Sequence, residues 1–534
     1  MSLLGGALVS PGTNRPDTAP SRTPRRARLT VFFAAWSVLF ALSGLWAIAT
    51  PPSASPDEPA HIVKAASVVR GEFIGTPSPH GHIVTVPRYI AESQSVTCFA
   101  FNATVTADCP ALPPADPWQN VRAPTSAGLY NPVYYAIVGW PSLLIHDSSG
   151  IYAMRLVSAL FATLFAALGF GIVATLPFRR LPILAFAVAA TPMLVFLSGS
   201  VNPSAVEATA TLAVFCGVLA IVSSPDDALL TGRVAVVMAA SVVAIDSRGL
   251  SPLWVLVALL VPLLLADRAE VRRLLRTRAI RLLLAVVAAA TLAAGAWTLG
   301  SDSLANAIAH PGQALSFPDV GASPLAGFQK VLVGTVGYSQ GLVGVFGWLD
   351  TPAPDIVLYG WGVAIGALAA GALVVLRGRR LLVSAALISA FLLLPAVVQA
   401  AYIHGGGMIW QGRYNLPLFL CLVIGLAVML GDTAFQRSER SWRRIGVVVA
   451  LGAAGGQLWS FATALRRYAV GADGSTATLL FGTPAWVPPG GILPILLAFA
   501  ATAVVGAVLL LRATNPLPAL APAPVLRPAG TDLG

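Results

Sequence analysis

Apolar runs of about 20 residues recur along the whole chain, and short polar segments separate them. An α-helix needs a run of this length to cross the hydrocarbon core of a bilayer. The pattern therefore predicts an all-α polytopic membrane protein with about twelve transmembrane helices. We expect these spans at 29–49, 151–177, 181–198, 203–222, 233–245, 250–266, 282–300, 356–376, 381–402, 414–431, 445–464 and 492–511.

Arginine clusters predict how the spans are oriented. Most of the 33 basic residues lie in short connections, such as Arg179-Arg180, Arg268 to Arg281, Arg377 to Arg380 and Arg437 to Arg444. Short cytoplasmic loops are enriched in Lys and Arg, and strict alternation from a cytoplasmic N-terminus places all four clusters inside. We expect a multi-pass protein of the cell membrane with both termini in the cytoplasm.

The domain organisation follows from these spans. Residues 1–28 are expected to form a disordered cytoplasmic segment, 29–511 the transmembrane domain, and 512–534 a cytoplasmic tail rich in Pro and Ala. The first outer loop, 50–150, is long enough for a small subdomain, and 301–355 is the second large outer loop.

Two further apolar stretches do not fit the alternation. Counting either one alone as a span would export the next arginine cluster. We interpret 132–145 as an interfacial or re-entrant helix, and the glycine-rich stretch 331–349 as irregular backbone that is shielded by protein or lines a cavity.

Composition and cysteine positions narrow the class of protein. The chain is 56% hydrophobic and 10% charged, which excludes a soluble enzyme. The net charge of +11 follows from the loop arginines, so we expect membrane lipids and no nucleic acid as partners. Cys98 and Cys109 lie in the outer loop, where we expect a disulfide rather than two free thiols, whereas Cys216 and Cys421 lie inside spans as core residues.

The strongest chemical signal follows the first span, where Asp57 and Glu58 stand between Pro56 and Pro59. Placing carboxylates at a membrane surface costs free energy, so such residues usually have a function. His61 lies four residues after Asp57 and can share its face of a helix. Asp57, Glu58 and His61 are thus candidate catalytic residues or ligands of Mn²⁺ or Mg²⁺. The alternative is a plain helix start with a solvated neighbour.

Other polar residues are predicted on the same outer side. Arginine at a membrane-surface cavity suits phosphate, which its planar fork binds through two hydrogen bonds. Each of these residues also has an ordinary interpretation as a turn or an interfacial aromatic. The candidate substrate-binding residues are Asn131, Asn202, Glu207, Arg248, Trp348, Asp350, Gln411, Arg413 and Tyr414.

These motifs resemble those of the bacterial polytopic membrane proteins grouped as domain-of-unknown-function family 2142. The resemblance rests on PDEPAH at 56–61, Asn-Pro at 131–132, VNPSAVE at 201–207, FGWLDTP at 346–352 and QGRYNLP at 411–417. That family is similar in layout to the GT-C class of glycosyltransferases, which use polyprenyl-phosphate sugar donors. An acidic residue of the first outer loop is essential in that class, and the resemblance assigns this role to Asp57. The Asp-Glu-Pro sequence departs from the paired-acid pattern of many members, which leaves metal dependence open.

The sequence therefore predicts a GT-C-like membrane glycosyltransferase. It would move a sugar from a polyprenyl-phosphate donor to a cell-envelope glycan acceptor on the extracytoplasmic side, with Asp57 as base and Arg413 or Arg248 at the leaving phosphate. Glu58 or His61 would orient Asp57 or bind the cation. Two alternatives stay open: a transporter or flippase for lipid-linked glycans, or a non-catalytic subunit of envelope assembly.

Overall fold

The computed structural model describes residues 25–79, 81–110, 112, 115–301, 317–431 and 439–515, and helices dominate it. The helices are α1 (Arg25–Ala49), α2 (Glu58–Val68), α3 (Arg88–Glu92), α4 (Pro132–Gly139), α5 (Ser148–Val173), α6 (Arg180–Ala189), α7 (Pro192–Ser198), α8 (Pro203–Ser223), α9 (Asp227–Ile245), α10 (Ser251–Leu260), α11 (Arg268–Arg276), α12 (Arg278–Gly300), α13 (Pro324–Val333), α14 (Thr335–Val343), α15 (Asp355–Val375), α16 (Gly378–Gly406), α17 (Leu416–Leu430), α18 (Glu439–Val470), α19 (Thr476–Phe481) and α20 (Ile492–Thr514). The predicted all-α polytopic class is confirmed. The predictions for 1–24 and 516–534 lie outside the described residues.

Every predicted span corresponds to a helical element. Among the described residues, ten helices are long and apolar enough to cross a membrane: α1, α5, α8, α9, α12, α15, α16, α17 with the turn before it, α18 and α20. The pair α6 and α7 is an eleventh candidate, bent by 65° at its break. The predicted span 250–266 is a shorter apolar helix, Ser251–Leu265, which ends in a 3₁₀ segment.

The bend between α6 and α7 has a local cause. Pro192 occupies the first turn of α7 and cannot donate a backbone hydrogen bond, so the ladder of α6 cannot continue through it. The Thr191 side chain caps the new helix by accepting a hydrogen bond from the Leu194 N–H at 3.2 Å. The chain therefore crosses this region as two short helices.

Helix α8 forms the centre of the bundle. All of its apolar window is buried, and the window that covers α17 is 89% buried, whereas most other spans keep a surface free for lipid. Because the whole window is buried within the protein, other helices rather than lipid surround α8. The polar start of α8, with Asn202 and Glu207, is consequently enclosed by neighbouring elements.

The first outer loop contains a small folded unit. Strands β1 (Thr76–Ser78), β2 (Gly81–Pro87) and β3 (Asn120–Thr125) form an antiparallel sheet in the order β1-β2-β3. Apolar residues of α2 and of β2 share one buried cluster. Cys98 and Cys109 form a disulfide, which confirms the predicted pairing.

The two stretches that were not counted as spans have different outcomes. Region 132–145 contains the short helix α4 and a 3₁₀ turn, which agrees with a helix that does not span. The expectation of irregular backbone at 331–349 is wrong, because this region holds the end of α13, the helix α14 and the strand β4 (Val345–Phe346). This strand forms a hairpin with β5 (Thr351–Pro352), which follows the region. Ser323 caps α13 through the Ala326 N–H at 3.3 Å, so a polar cap and a proline start a helix that glycine content alone did not indicate.

Candidate functional site at the start of helix α2

Asp57 stands at the N-cap position of α2 in a left-handed backbone conformation, with φ of 62°. Asp tolerates this region better than most residues, although it remains uncommon and often marks a functional position. The side chain makes no capping hydrogen bond and turns instead to Arg413, with Oδ2 lying 2.6 Å from Nη2. Half of the Asp57 side chain is exposed (50%), whereas Arg413 is almost fully buried (2%).

Arg413 is held by its neighbours in the 3₁₀ turn that precedes α17. Its Nε donates to Gln411 Oε1 at 2.7 Å, and its guanidinium lies over the Tyr414 ring at 5.2 Å. Gly412 makes this close packing possible, because a Cβ there would lie 1.8 Å from the carbonyl oxygen of Tyr338. Partial desolvation acts to raise the pKa of Asp57, but Arg413, with His61 and Arg248, outweighs it and holds that pKa below its usual value.

Arg248, just after α9, adds a second cation. Its Nη1 donates to Ser204 Oγ at 2.6 Å, and its guanidinium lies over the same Tyr414 ring at 4.9 Å. Burial would lower the pKa of Arg248, but the surrounding acidic groups, Tyr130 and Glu207 first, raise it, so the group stays charged. Two guanidinium groups therefore share one aromatic ring beside an accessible carboxylate.

Glu207 lies behind Arg248, one turn into α8. It is buried, and its Oε1 accepts a hydrogen bond from Ser251 Oγ at 2.7 Å. Ser251 connects Glu207 to the segment of Arg248, because its Oγ also accepts the Arg248 N–H at 3.1 Å. Glu207 therefore helps to keep Arg248 charged, and its own carboxylate is not exposed.

His61 lies one turn after Asp57 and is buried between aromatic rings. Its Nδ1 lies 2.8 Å from the Tyr135 hydroxyl, and its ring stacks with Tyr130 at 5.7 Å and with Tyr135 at 5.8 Å. Burial lowers the pKa of His61 to about 3; Asp57 opposes this shift and the nearby arginines add to it. The imidazole is consequently neutral near neutral pH.

Glu58 has a structural role that the sequence analysis did not anticipate. Both of its oxygens bind the guanidinium of Arg155, at 2.7 Å and 2.5 Å, and its Oε1 also accepts the Val201 N–H at 3.0 Å. Arg155 donates further to the carbonyl groups of Ala47, Thr50 and Pro51. The prediction of Glu58 as a catalytic or cation-binding partner of Asp57 is therefore wrong, because its carboxylate is buried and saturated on the opposite side.

The predicted cation site of Asp57, Glu58 and His61 is not assembled. Glu58 is committed to Arg155, and the His61 Nδ1 faces the Tyr135 hydroxyl. Within the described ranges, no three His, Cys, Asp or Glu side chains are grouped so that they could hold a metal ion. The donor set that Mn²⁺ or Mg²⁺ would need is thus missing from this trio.

Asn131 and Asn202 are helix caps that also bind a neighbouring segment. Asn202 Oδ1 accepts the Ser204 N–H at 3.0 Å, and its Nδ2 donates to the carbonyl oxygen of Pro56 at 3.1 Å. Asn131 caps α4 in the same way, and its Nδ2 donates to Asp246 Oδ1 at 2.9 Å. Both amides thus fix the elements around the site, and neither directly contacts the Asp57 carboxylate.

Trp348 and Asp350 belong to a second cluster. The Trp348 Nε1 donates to the carbonyl oxygen of Ser53 at 3.1 Å, and Asp350 Oδ2 accepts from Arg467 Nη2 at 2.9 Å. Arg467 also donates to the carbonyl groups of Phe99 and Asn102, inside the loop that the disulfide closes. These residues anchor the outer loop, and no contact in the described part of the chain joins them to Arg413.

Three residues of this region were missed as site residues. Arg155 lies inside the apolar run 151–177, and the cost of an arginine within a span was the signal that could have marked it. Tyr130 and Tyr135 lie beside the Asn-Pro motif, but nothing in the sequence indicated that their rings enclose His61.

Comparisons with known proteins found solved structures of low sequence identity and one family. No curated protein matches the chain. The structure of ArnT from Cupriavidus metallidurans in the apo state is similar at 14% identity, covering 92% of this chain and 77% of that chain, with a TM-score of 0.44. ArnT from the same organism bound to undecaprenyl phosphate is similar at 14% identity over 92% and 78% of the two chains, with a TM-score of 0.45. The model of DUF2142, described as a predicted membrane protein, matches residues 40–422, so this chain belongs to the DUF2142 family of membrane proteins.

Proposed function

We propose that this protein is a membrane glycosyltransferase that moves a sugar from a polyprenyl-phosphate donor to a cell-envelope acceptor on the extracytoplasmic side. The observation that supports this most is the pair of Asp57 and Arg413, in which an accessible carboxylate lies 2.6 Å from a buried guanidinium. The resemblance to family 2142, whose layout is similar to that of the GT-C class, also supports the proposal, because it assigns the essential acid to Asp57.

In the proposed reaction, an acceptor hydroxyl oxygen attacks the anomeric carbon of the donor sugar. The new bond forms between these two atoms as the bond from the anomeric carbon to the phosphate oxygen breaks. Asp57 accepts the hydroxyl proton, a contribution of about 10² to 10⁴ in rate for a general base. The electron pair of the broken bond leaves with the polyprenyl phosphate.

The arginines would receive the phosphate. Arg413 and Arg248 lie over one ring, that of Tyr414, so a phosphate beside this ring meets two positive groups in a partly dry site. Such fixed charges stabilise the charge that develops on the leaving group. Arg413 also holds the pKa of Asp57 down. A phosphate that binds Arg413 would weaken this effect, so the pKa of Asp57 would rise and its carboxylate would become a better base.

Asp57→Asn tests the proposal, since it keeps the size of the side chain and removes the base. The assay mixes detergent-solubilised protein with polyprenyl-phosphate sugars and envelope glycans extracted from the source cell, and measures released polyprenyl phosphate and new glycan by mass spectrometry. We expect the rate to fall by about 10² to 10⁴. Asp116→Asn, in an exposed part of the same outer loop, is the control and should retain the wild-type rate.

A transporter of lipid-linked glycans is the second candidate, and the bend of 65° between α6 and α7 favours it, because transporters often contain broken helices. The solubilised assay separates the two, since detergent micelles have no second compartment. A wild-type protein that yields no new glycosidic bond there, but moves labelled lipid across a vesicle membrane, would contradict the transferase and support the transporter.

A further inference from the structure

A cavity of about 430 Å³ lies between the spans, away from the site at Asp57. Residues of α1, α5, α6, α7, α8, α17, α18 and α20 line it. Its walls include many small side chains, such as Ala35, Ala166, Ala454 and Ala507, which leave space where larger residues would fill the bundle. Its volume lies within the range of about 300 to 1,000 Å³ that is typical of small-molecule sites.

One end of the cavity lies near the start of α1 and the end of α20, where the helices carry arginines. On α1 it extends from Thr30 to Ser43, about 20 Å at the rise of an α-helix. Arg512, at the end near Thr30, is the single charged side chain among the described lining residues. A hollow that contains Arg26 adjoins it and shares Thr30 with the cavity. The cavity is therefore apolar along its length and cationic at one end.

Aromatic side chains close the other end. Trp46, Phe461 and Phe499 each lie about one helical turn beyond the last cavity residue on α1, α18 and α20. The Trp46 ring centroid lies 5.1 Å from that of Phe461, and Phe461 stacks on Phe499 at 4.0 Å. The residue after Trp46, Ala47, already contacts Arg155 of the Asp57 region. This aromatic layer thus separates the cavity from the candidate catalytic site.

We propose that this cavity binds an anionic membrane phospholipid, with one acyl chain between the helices and the phosphate at Arg512. An apolar cavity stays dry and accepts hydrocarbon. Its length of about 20 Å accommodates a chain from one leaflet, whose hydrocarbon layer is about 15 Å deep, half of the bilayer core. Anionic headgroups are attracted to basic residues at the cytoplasmic surface. The polyprenyl donor is a poor occupant, because its phosphate would be at Arg413, beyond the aromatic layer.

Native mass spectrometry of the full-length protein, titrated with phosphatidylglycerol, phosphatidylcholine or a polyprenyl phosphate, tests this site. We expect one phosphatidylglycerol to remain bound to the wild-type protein after delipidation. Ala507→Phe fills the cavity and should weaken this binding at least tenfold. Ala501→Phe is the matched control, because Ala501 is exposed on the same helix and does not line the cavity. Arg512→Gln should abolish the preference for phosphatidylglycerol over phosphatidylcholine.

Ala454→Leu is a milder filling variant on α18 in case the phenylalanine prevents folding, which size-exclusion chromatography would reveal. Equal retention of phosphatidylglycerol by the wild-type protein and by a folded filling variant would overturn the proposal. The same holds if both filling variants lose polyprenyl phosphate binding and keep phosphatidylglycerol, since the cavity would then hold the donor chain. None of these outcomes depends on glycosyl transfer, so the lipid site and the proposed reaction fail separately.

Discussion

Asp57 and Glu58 are adjacent carboxylates with different surroundings. Asp57 is the left-handed N-cap and its side chain reaches Arg413, whereas Glu58 is the first helical residue and its side chain turns into the bundle towards Arg155. The Arg155 pair also holds three carbonyl groups at the end of α1. We infer that this buried pair fixes the backbone that carries Asp57.

Removing one partner of the buried pair should be strongly destabilising. Glu58→Gln leaves the Arg155 charge unpaired, and such a change typically costs about 3 to 5 kcal/mol. We expect a clear fall in the apparent Tm, measured by intrinsic fluorescence in detergent. Glu439→Gln is the control, because Glu439 is 80% exposed in its bridge to Arg180 and such bridges contribute about 0 to 1 kcal/mol. A Glu58→Gln protein as stable as the control variant would contradict this role.

The sequence predicts that Asp57 and Arg413 lie at one site, but it does not predict which residues surround the two adjacent carboxylates. Arginine bias along the chain is sufficient to place both residues on one side of the membrane. Which carboxylate faces outward depends on the left-handed backbone at Asp57, and this conformation is stabilised by contacts with distant segments. Arg155 and Val201 provide those contacts to Glu58, and no local pattern in PDEPAH contains them.

At the scale of elements, two Asn-Pro sequences start helices that border the site. The proline fills a first-turn position that needs no hydrogen-bond donor, and the asparagine caps the free N–H groups. From the sequence alone, turn formation and substrate binding are alternative roles for these asparagines. In the structure each cap has a second function, because the amide nitrogen that the cap leaves free ties its helix to another segment.

The two functions of Asn202 can be separated. Asn202→Ser keeps a capping oxygen and removes the bond to the Pro56 carbonyl group, whereas Asn202→Ala removes both. Loss of a cap costs about 1 kcal/mol, so we expect the alanine variant to have the lower apparent Tm of the two. Because the Pro56 bond positions the segment that carries Asp57, both variants should lose transfer rate to a similar extent. A serine variant with the wild-type rate would show that this bond does not position the site.

The long spans are predictable from the sequence, whereas some of the short elements are not. Hydrophobic runs identified every long span, since burial in lipid requires an apolar helix whatever its neighbours. The hairpin of β4 and β5 and the helix α14 depend instead on packing against the bundle, as the buried Phe346 illustrates. Periodicity carries little information about such short elements.

At the scale of the whole molecule, the orientation of everything after α9 depends on one short helix. Ser251–Leu265 combines ten α-helical and five 3₁₀ residues. Its length is about 25 Å, slightly less than the hydrocarbon core of about 30 Å. If this segment crosses the membrane, Arg413 emerges on the same side as Asp57 with strict alternation. The bond from Asn202 to the Pro56 carbonyl group places the start of α8 on the Asp57 side, so α6 and α7 together count as one span. With that span included, the Asp57 to Arg413 bond favours a full crossing by Ser251–Leu265.

Single cysteines on either side of this helix test the crossing. Gly249→Cys and Arg272→Cys occupy exposed positions before and after it, and a Cβ at Gly249 meets no neighbouring atom within 4 Å. With a membrane-impermeant maleimide added to intact cells, we expect Gly249→Cys to react and Arg272→Cys to react only after permeabilisation. The wild-type chain is the control, because its two other cysteines are buried and Cys98 is bonded to Cys109. Labelling of both variants from outside would mean that the helix returns to its starting side. The arginines of α11 would then be exported, and the shared side of Asp57 and Arg413 would need a different topology.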